Sequence, residues 1–305
     1  MSSSPEQTAG AGSIEPFLDR ARILAEALPY IQTFDGKTLV IKYGGHAMVD
    51  AQLKAGVIQD LVLMESVGMR VVVVHGGGPE ITRLMKKMGV KAKFSNGLRV
   101  TDEETLSVTE MVLDGKINGE IVNGINQAGG RAVGISGKDG RLILAHRYRP
   151  TGADGQPAGD IGYVGEVEKI NPEILDALYK HEFIPVVSPI GVDAQGQTLN
   201  INADTVAADI ATALKAAKLM LLTDVRGICR DPADPSTVMT TVPARNVETM
   251  ISEGVIHGGM IPKVRACLRA LEGGVEKTHV LDGRIPHALL LELFTDCGIG
   301  TQIIN

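Results

Sequence analysis

Two glycine clusters follow short apolar runs and could bind an anionic ligand. Gly44-Gly45 comes directly after Thr38–Tyr43, and Gly76-Gly77-Gly78 comes directly after Arg70–His75. Open α/β sheets bind ligands at the carboxyl ends of their strands. Glycine lets backbone N–H groups approach an anion closely, and the N-terminus of a following helix adds a favourable dipole. The pattern therefore indicates a phosphate site. Tight turns without a ligand are the alternative, which two clusters make less favoured than one.

Lys42 lies in the first of these apolar runs, where a charged side chain needs a partner. An unpaired ammonium group is costly to bury. A solvated surface position is the alternative for any lysine taken alone.

The common nucleotide-binding and hydrolase motifs do not occur in the sequence. Gly36-Lys37-Thr38 lacks the first glycine of a Walker A loop, since position 31 is Ile, and it precedes a strand instead of following one. There is no Gly-x-Gly-x-x-Gly, Gly-x-Ser-x-Gly or His-Glu-x-x-His, and the protein-kinase motifs are absent. Dinucleotide-binding dehydrogenases, serine hydrolases and zincins are therefore disfavoured.

Composition excludes further classes. The 305 residues carry 30 Lys and Arg against 36 Asp and Glu, a formal charge of −6 that argues against nucleic acid as a partner. The 3% of aromatic residues, without Trp, provide few stacking platforms for single strands. Three widely spaced cysteines indicate a reduced compartment and no zinc site. No apolar run approaches the roughly 18 residues of a membrane span, so we expect a soluble cytoplasmic protein without a membrane partner.

The elements that must position these residues alternate between strands and helices. Predicted strands are Thr38–Tyr43, Arg70–His75, 131–136, 141–146, 184–188, 219–222, 278–282 and 301–304. Predicted helices are 14–34, 51–67, 80–88, most of 101–126, 171–181, 203–214, 242–253 and 262–272, with a hairpin or surface loop at 150–165. Residues 1–13 are expected to be a disordered tail. This alternation predicts an α/β protein with a mainly parallel sheet and a division into two lobes near residue 190.

Five segments, taken in order, resemble the amino acid kinase superfamily and, within it, the N-acetylglutamate kinases. They are 41–45 (IKYGG), 74–79 (VHGGGP), 96–101 (NGLRVT), 200–204 (NINAD) and 258–263 (GGMIPK). The resemblance covers the chain from about Phe34 to its last residue. It implies a three-layer αβα sandwich with an amino-acid-substrate lobe at 34–190. It also implies a nucleotide-binding lobe with a C-terminal regulatory segment at 191–305, preceded at 1–33 by a tail and a kinked oligomerisation helix.

The resemblance implies an ATP-dependent kinase that phosphorylates the side-chain carboxylate of N-acetyl-L-glutamate. The product is N-acetyl-L-glutamyl 5-phosphate, an early intermediate of arginine biosynthesis. A Glu-type carboxylate has a pKa of about 4.3, so the nucleophile is already ionised at neutral pH and needs no general base. Catalysis then consists of positioning and electrostatic stabilisation. Magnesium is expected to be held mainly by phosphates and water, with no protein ligand.

Roles for individual residues also follow from the resemblance. Lys42 would stabilise the transferring group and Lys263 would reach the leaving side, with Asp204 holding both lysines; capping the next helix is an alternative and compatible role for Asp204. Arg99 suits bidentate capture of the substrate α-carboxylate, against the alternative of a solvated loop arginine. The other implied positions are Gly77, Gly78, Asn200 and Asn202 for the amino-acid substrate, Gly44, Gly45 and Gly77 for phosphoryl oxygens, and Thr223, Asp224, Gly259 and Met260 for the nucleotide.

The N-terminal helix and the segments 279–284 and 289–294 resemble the arginine-inhibited, hexameric branch. The implied arginine-binding residues are Glu292 for the cationic end, with His279, Gly298 and Lys218; an ordinary strand position is the alternative for His279. The apolar stripe of helix 14–34, which Pro29 should kink or split, taken alone favours packing on its own domain. Docking on another subunit, as in a trimer of dimers, is the reading that the resemblance implies.

Two other functions stay open at this point. A related kinase for acetylaminoadipate or carbamate is one, because one methylene group changes pocket affinity by only about 1–3 kcal/mol. A non-catalytic arginine sensor is the other, although both lysines that such a protein could lose are present.

Overall fold

The computed structural model describes residues 14–95, 97–150, 159–231, 233–296 and 298–305. Its strands are β1 (Thr38–Tyr43), β2 (Arg70–His75), β3 (Phe94–Ser95), β4 (Leu98–Arg99), β5 (Ala132–Ser136), β6 (Ile143–Arg147), β7 (Val164–Ile170), β8 (Ile184–Ser188), β9 (Ile190–Val192), β10 (Thr198–Ile201), β11 (Lys218–Thr223), β12 (Thr241–Pro243), β13 (Lys277–Asp282) and β14 (Thr301–Ile304). Its α-helices are α1 (Glu15–Phe34), α2 (Ala51–Ser66), α3 (Gly78–Met88), α4 (Glu103–Glu110), α5 (Asn118–Gln127), α6 (Glu173–Tyr179), α7 (Ala203–Ala213), α8 (Val247–Ser252), α9 (Met260–Glu272) and α10 (Ala288–Phe294). A π-helical segment, Met111–Ile117, joins α4 to α5.

Eight strands form a central sheet in the order β12-β14-β13-β11-β1-β2-β8-β5. All neighbouring strands run parallel except β13 and β14. The predicted α/β class with a mainly parallel sheet is therefore confirmed. Because β1 lies near the middle, the turns after β1, β2 and β11 meet at one edge of the sheet.

Helices cover both faces of the sheet, as predicted for a three-layer sandwich. Side chains alternate along β1: Leu39, Ile41 and Tyr43 belong to one core, while Val40 belongs to the other. The first core includes residues of α2, α3, α5 and α10, and the second includes residues of α7, α8 and α9. By the same alternation, Lys42 points to the face that α7 and α9 cover.

A second sheet closes into a small barrel of β6, β7, β9 and β10, of which only β6 was predicted as a strand. Strands from both sides of residue 190 contribute to this barrel, and the division into lobes stays a prediction. Of the loop predicted at 150–165, residues 151–158 lie outside the described residues, as do 1–13, and Val164 and Gly165 already belong to β7.

The helix predicted at 242–253 is wrong in its first residues. Thr241–Pro243 is an edge strand, paired only with β14 in the sheet order, and the α-helix begins at Val247. The cause is Pro243, which disfavours the helical conformation for Val242 before it and tolerates an edge strand because it needs no donor there.

Helix α1 continues through Pro29 without being split. Its C-terminal part contacts α10, where the Tyr30 hydroxyl donates to Asp296 at 2.8 Å and the Tyr30 ring packs against Phe294. Further towards the N-terminus, Phe17 is 64% and Leu24 73% exposed, so the interpretation that this stripe packs on its own domain is wrong for these residues. They lie N-terminal to the turn that contacts α10. Within the described ranges, no helix is both long and apolar enough to cross a membrane.

Candidate active site

Two cavities meet at Lys42. The smaller one, of about 210 Å³, lies between the Gly76-Gly77-Gly78 turn, β4 and the start of α7. The larger one, of about 1400 Å³, lies between the ends of β11 and β13 and the N-terminus of α9. Lys42 lines both of them. A small ligand and a larger one could therefore approach the same ammonium group, one from each cavity.

Asp204 joins Lys42 and Lys263 at this junction. The Asp204 carboxylate accepts a contact from Lys42 Nζ at 3.1 Å on Oδ1 and a hydrogen bond from Lys263 Nζ at 2.9 Å on Oδ2. Burial alone would raise the pKa of Asp204, but the two ammonium groups outweigh it and hold the pKa at about 2. The carboxylate is therefore ionised at neutral pH, and one negative charge holds two positive charges next to both cavities.

Asn202 caps helix α7, the role that the sequence had left open for Asp204. The Asn202 side-chain oxygen accepts hydrogen bonds from the N–H groups of Asp204, at 2.8 Å, and Thr205, at 3.2 Å. Because Asn202 satisfies these helix-end donors, the Asp204 carboxylate is left to bind the lysines. Asn202 also lines the smaller cavity, where its predicted support of the substrate stays a prediction.

A side chain at any of three predicted phosphate-binding glycines would displace a neighbouring side chain. A Cβ at Gly44 would lie 2.5 Å from Lys42 Nζ. Gly45 has φ +72°, and a Cβ there would collide with the Asp224 carboxylate. A Cβ at Gly77 would lie 2.5–2.6 Å from methyl groups of the π-helical segment. Gly44 thus brings bare backbone next to Lys42, and Gly45 and Gly77 line the two cavities that Lys42 also lines, as an anion site requires.

Arg99 is a buried wall of the smaller cavity. Its Nη2 donates to the Gly78 carbonyl oxygen at 2.9 Å and to Thr82 Oγ1 at 2.8 Å, and its guanidinium lies 4.7 Å from the centre of the Phe94 ring. Burial lowers its pKa. Arg99 therefore ties the β3–β4 hairpin to α3. Since both N–H groups of Nη2 are engaged, bidentate capture of a carboxylate requires one of them to exchange its partner.

Asn200 lines the same cavity from β10, and its Nδ2 donates to Thr101 Oγ1 at 3.2 Å. Gly78 lines it as well, as the first residue of α3. The predicted substrate-binding residues therefore come together around one cavity, although Asn96 of the same sequence segment lies outside the described residues.

The larger cavity gathers the residues predicted for the nucleotide. Thr223 and Asp224 line it at the end of β11, and Gly259 and Met260 line it at the start of α9. Sequence reasoning missed Arg284, which also lines this cavity and donates to both carboxylate oxygens of Asp282 at 2.8 Å. The sequence did contain a signal for Arg284. Asp282 ends β13, which pairs with β11, so the residues after it lie at the same edge of the sheet as Thr223 and Asp224, although the segment 279–284 was predicted to be regulatory.

The described part of the chain contains no group of three or more His, Cys, Asp or Glu side chains that could hold a metal ion. Cys229 and Cys267 are free thiols, and Cys297 lies outside the described residues.

A second polar cluster lies away from the cavities, where α10 meets the sheet. Glu292 Oε1 lies 2.9 Å from His279 Nδ1 and 3.5 Å from Lys218 Nζ. Lys218 Nζ lies 5.2 Å from the centre of the Phe34 ring, at the end of α1. Burial lowers the pKa of His279, opposed by its hydrogen bond to Glu292. Glu292 thus contacts two of the other three residues predicted to bind arginine, His279 and Lys218, whereas Gly298 is exposed.

Comparison with known proteins gives consistent relatives. The amino acid kinase family matches residues 37–282. The chain is 55% identical over 289 residues to the acetylglutamate kinase of Moorella thermoacetica, which covers 94% of this chain and 98% of that protein. It is 56% identical over 286 residues to the acetylglutamate kinase of a Nostoc strain, covering 94% of each.

Among solved structures, the N-acetylglutamate synthase of Neisseria gonorrhoeae with coenzyme A and N-acetyl-glutamate is similar, with a TM-score of 0.79 and 28% identity. The match covers 93% of this chain and 63% of the synthase chain. The same synthase with coenzyme A and L-arginine matches with a TM-score of 0.77 and 27% identity, over 93% of this chain and 65% of that one.

Proposed function

The chain belongs to the amino acid kinase family and, within it, to the acetylglutamate kinases, and from that premise we propose how its own residues phosphorylate N-acetyl-L-glutamate. N-acetylglutamate would bind in the smaller cavity and ATP in the larger one, so that the γ-phosphoryl group passes between them at Lys42. The product, N-acetyl-L-glutamyl 5-phosphate, is an early intermediate of arginine biosynthesis.

The observation that carries this mechanism is the Lys42–Asp204–Lys263 bridge at the junction of the two cavities. An ionised substrate carboxylate must approach the triphosphate of ATP, so repulsion between two anions opposes the reaction. Two ammonium groups on one carboxylate leave one net positive charge at the point of transfer. Lys42 would stabilise the transferring group, and Lys263, at the start of α9, would stabilise the leaving β-phosphate.

Backbone donors would complete the site around the phosphoryl oxygens. The N–H groups of Gly44, Gly45 and Gly77 are the candidates, because Gly44 lies beside Lys42 and the other two line the cavities that Lys42 lines. Thr223, Asp224 and the N-terminus of α9 would hold the nucleotide, whose phosphates favour a helix N-terminus. Magnesium would arrive with ATP, bound mainly by phosphates and water.

At the other end of the substrate, Arg99 and Asn200 would hold the α-carboxylate and the N-acetyl group. Neither group changes charge during the transfer. Contacts there bind the ground state and the transition state equally, and so select the substrate without accelerating the chemical step.

Lys42→Ala and Lys263→Ala test the mechanism. Each removes a positioned cation at developing charge, so kcat should fall by at least about 10²-fold while the protein stays folded. A hydroxamate assay of ATP with N-acetylglutamate, acetylaminoadipate and carbamate measures both activity and substrate choice. Activity that survives either substitution contradicts the mechanism, and a preference for acetylaminoadipate or carbamate contradicts the substrate.

We further propose that arginine inhibits the enzyme at the cluster of Glu292, His279 and Lys218, with Gly298 nearby. The support is the largely buried carboxylate of Glu292, which pairs with His279 and with Lys218, whose ammonium group lies against the Phe34 ring at the end of α1, together with the similar gonococcal synthase whose structure contains L-arginine. The guanidinium of arginine would pair with Glu292 in place of Lys218. The exposed stripe of α1 would join dimers into a hexamer, a trimer of dimers, whose arrangement arginine biases. A cytoplasmic location, where ATP is available and thiols stay reduced, is part of this proposal.

Deletion of residues 1–34 and the substitution Glu292→Gln test the regulatory proposal separately. The deletion should abolish the hexamer in light scattering. Glu292→Gln should raise the arginine concentration for half-inhibition by about tenfold or more, since a charge-assisted contact is lost. A truncated enzyme that remains hexameric and arginine-sensitive contradicts the role of α1, and unchanged inhibition of the Gln variant contradicts the assigned site.

A further inference from the structure

His75, the last residue of β2, is fully buried directly before the Gly76-Gly77 turn, and the mechanism above gives it no role. Its Nδ1 lies 3.1 Å from the Gly76 carbonyl oxygen, and its Nε2 lies 3.2 Å from Nδ2 of Asn118. Asn118 Nδ2 also donates to the Val186 carbonyl oxygen at 2.9 Å. A chain of hydrogen bonds therefore runs from β8 through two side chains to the glycine turn.

The directions of these hydrogen bonds fix the protonation state of the ring. The Val186 carbonyl oxygen can only accept a hydrogen bond, so the Asn118 side-chain atom that faces it must be the nitrogen of the NH2 group. The same NH2 group faces Nε2 of His75. Nε2 of His75 then accepts, and Nδ1 carries the proton and donates to the Gly76 carbonyl. Burial lowers the pKa of His75 to about 4, so the ring is neutral around neutral pH.

The Gly76 carbonyl determines where the next N–H points. A trans peptide group directs its C=O and its N–H to opposite sides. With the carbonyl held at the His75 ring, the Gly77 N–H faces the other way, and Gly77 lines the smaller cavity beside Lys42. In the part of the chain that the structure describes, no backbone carbonyl accepts from this N–H, whereas the Gly76 N–H donates to Tyr43 at 2.9 Å.

The surrounding residues are built to keep Asn118 in place. It follows directly on the π-helical segment, whose Leu113 and Ile117 side chains occupy the space where Gly77 lacks a Cβ. On the neighbouring strand β5, a Cβ at Gly134 would collide with Asn118 Oδ1. π-Helical turns of this kind are frequent at functional sites.

We propose that His75 and Asn118 are positioning residues, which orient the Gly76–Gly77 peptide so that the Gly77 N–H donates to the phosphoryl group in transfer. This inference rests on the proposed function, because it assigns how one donor of that site is aimed. A donor that acts on developing charge contributes to kcat and not to substrate binding.

Three variants test the proposal. His75→Leu keeps the side-chain volume but loses both ring nitrogens. Asn118→Ala removes the partner that fixes the tautomer. His75→Asn places an amide N–H near the position of Nδ1 and should restore the bond to Gly76. Asn126→Ala is the matched control. Asn126 also lies on α5, its side-chain oxygen accepts a hydrogen bond from the Ala132 N–H at 2.7 Å, and it does not line the smaller cavity.

The steady-state measurements are kcat and the KM values for ATP and N-acetylglutamate. A binding measurement adds the affinity for MgADP with aluminium fluoride in the presence of N-acetylglutamate, a combination in which aluminium fluoride mimics the transferring phosphoryl group. His75→Leu should lower kcat and the affinity for the mimic by about 10²–10³-fold, with both KM values within about threefold of wild type. Asn118→Ala should show a smaller loss of the same kind, His75→Asn should recover to within about tenfold of wild type, and Asn126→Ala should match wild type.

A folded His75→Leu enzyme with wild-type kcat overturns the proposal, as does a loss that appears in KM alone or that His75→Asn does not reverse. If His75→Leu does not fold, Asn118→Ala and His75→Asn decide by the same criteria. Failure of the proposed function looks different: wild-type protein would then not phosphorylate N-acetylglutamate at all.

Discussion

Replacing Asp204 with asparagine removes the carboxylate that holds Lys42 and Lys263 while keeping the shape of the side chain. The pKa of Asp204, lowered from 3.8 to about 2, corresponds to about 2–3 kcal/mol of stability at about 1.36 kcal/mol per pKa unit. The substitution also leaves the buried Lys42 ammonium without its counterion, and breaking a buried pair in this way costs about 3–5 kcal/mol. We therefore expect Asp204→Asn to lower the free energy of unfolding by about 2–5 kcal/mol at pH 7.

Activity should fall further than stability alone explains. Without the shared carboxylate, neither ammonium group is held at the junction of the cavities, so kcat should drop by about 10²-fold or more in protein that is still folded. Urea unfolding measures the stability, and a coupled assay of ADP release at saturating ATP and N-acetylglutamate measures kcat.

The pH dependence of stability provides a further check on the same residue. The folded-state pKa is depressed, so the contribution of Asp204 is present above its unfolded value of 3.8 and is lost as the pH falls through about 2. The stability difference between wild type and Asp204→Asn should thus be constant from neutral pH down to about 5 and shrink in stronger acid.

Asp209→Asn on the same helix is the matched control. In the described part of the chain, the one ion pair of Asp209 is with Arg269, at 2.5 Å, and Asp209 lines neither cavity. Burial raises the pKa of Asp209, opposed by Arg269, so its ionised form is not favoured by the fold and its loss should leave stability and kcat close to wild type. If Asp204→Asn behaves like Asp209→Asn, a carboxylate shared by two lysines has no part in catalysis, and the mechanism is wrong.

Two further predictions concern residues outside the lysine bridge. Arg99→Ala should raise the KM for N-acetylglutamate about tenfold or more and change kcat less, because Arg99 would hold a group of constant charge; steady-state kinetics that leave this KM unchanged contradict the substrate assignment. Burial raises the pKa of Asp60 to about 6, opposed by its 2.6 Å contact with His287. Because the folded protein then favours the protonated carboxyl group, wild type should lose up to about 3 kcal/mol of stability as the pH rises from 4 through 6 to 7. Asp60→Asn should lack this decline in unfolding curves measured across that range, and a parallel decline in the variant refutes the assignment to Asp60.

Those parts of the fold that depend on local pattern could be predicted from the sequence. Strands β1 and β2 are continuous apolar runs that end in glycine, which is typical of parallel strands buried on both faces. Their neighbourhood in the sheet follows from the short helical crossover between them. Since both turns then lie at one edge, a phosphate site there could be predicted before any coordinates.

Other features depend on contacts between distant segments, which no local pattern encodes. Strands β9 and β10 have three and four residues and are defined mainly by their pairing in the barrel with β6 and β7. The position of Asn200 in the smaller cavity follows from that pairing. Arg284 differs from these strands: its bond to Asp282 is local, but its place beside the larger cavity follows from the pairing of β13 with β11.

The lysine bridge itself depends on how closely α7 and α9 approach each other. Asp204 lies in the first turn of α7 and Lys263 in the first turn of α9, so both reach the edge of the sheet only if the two helices pack side by side over β1 and β11. Small side chains permit this close packing: the buried faces carry Ala207, Ala208 and Ala211 on α7 and Ala266 and Ala270 on α9. Alanine favours the helix and leaves little volume between the axes. The alanines are visible in the sequence, but their partner is not, because an alanine-rich face could pack against either helix or sheet. The distance between the Lys42 and Lys263 ammonium groups is therefore set by helix packing that only the folded chain reveals.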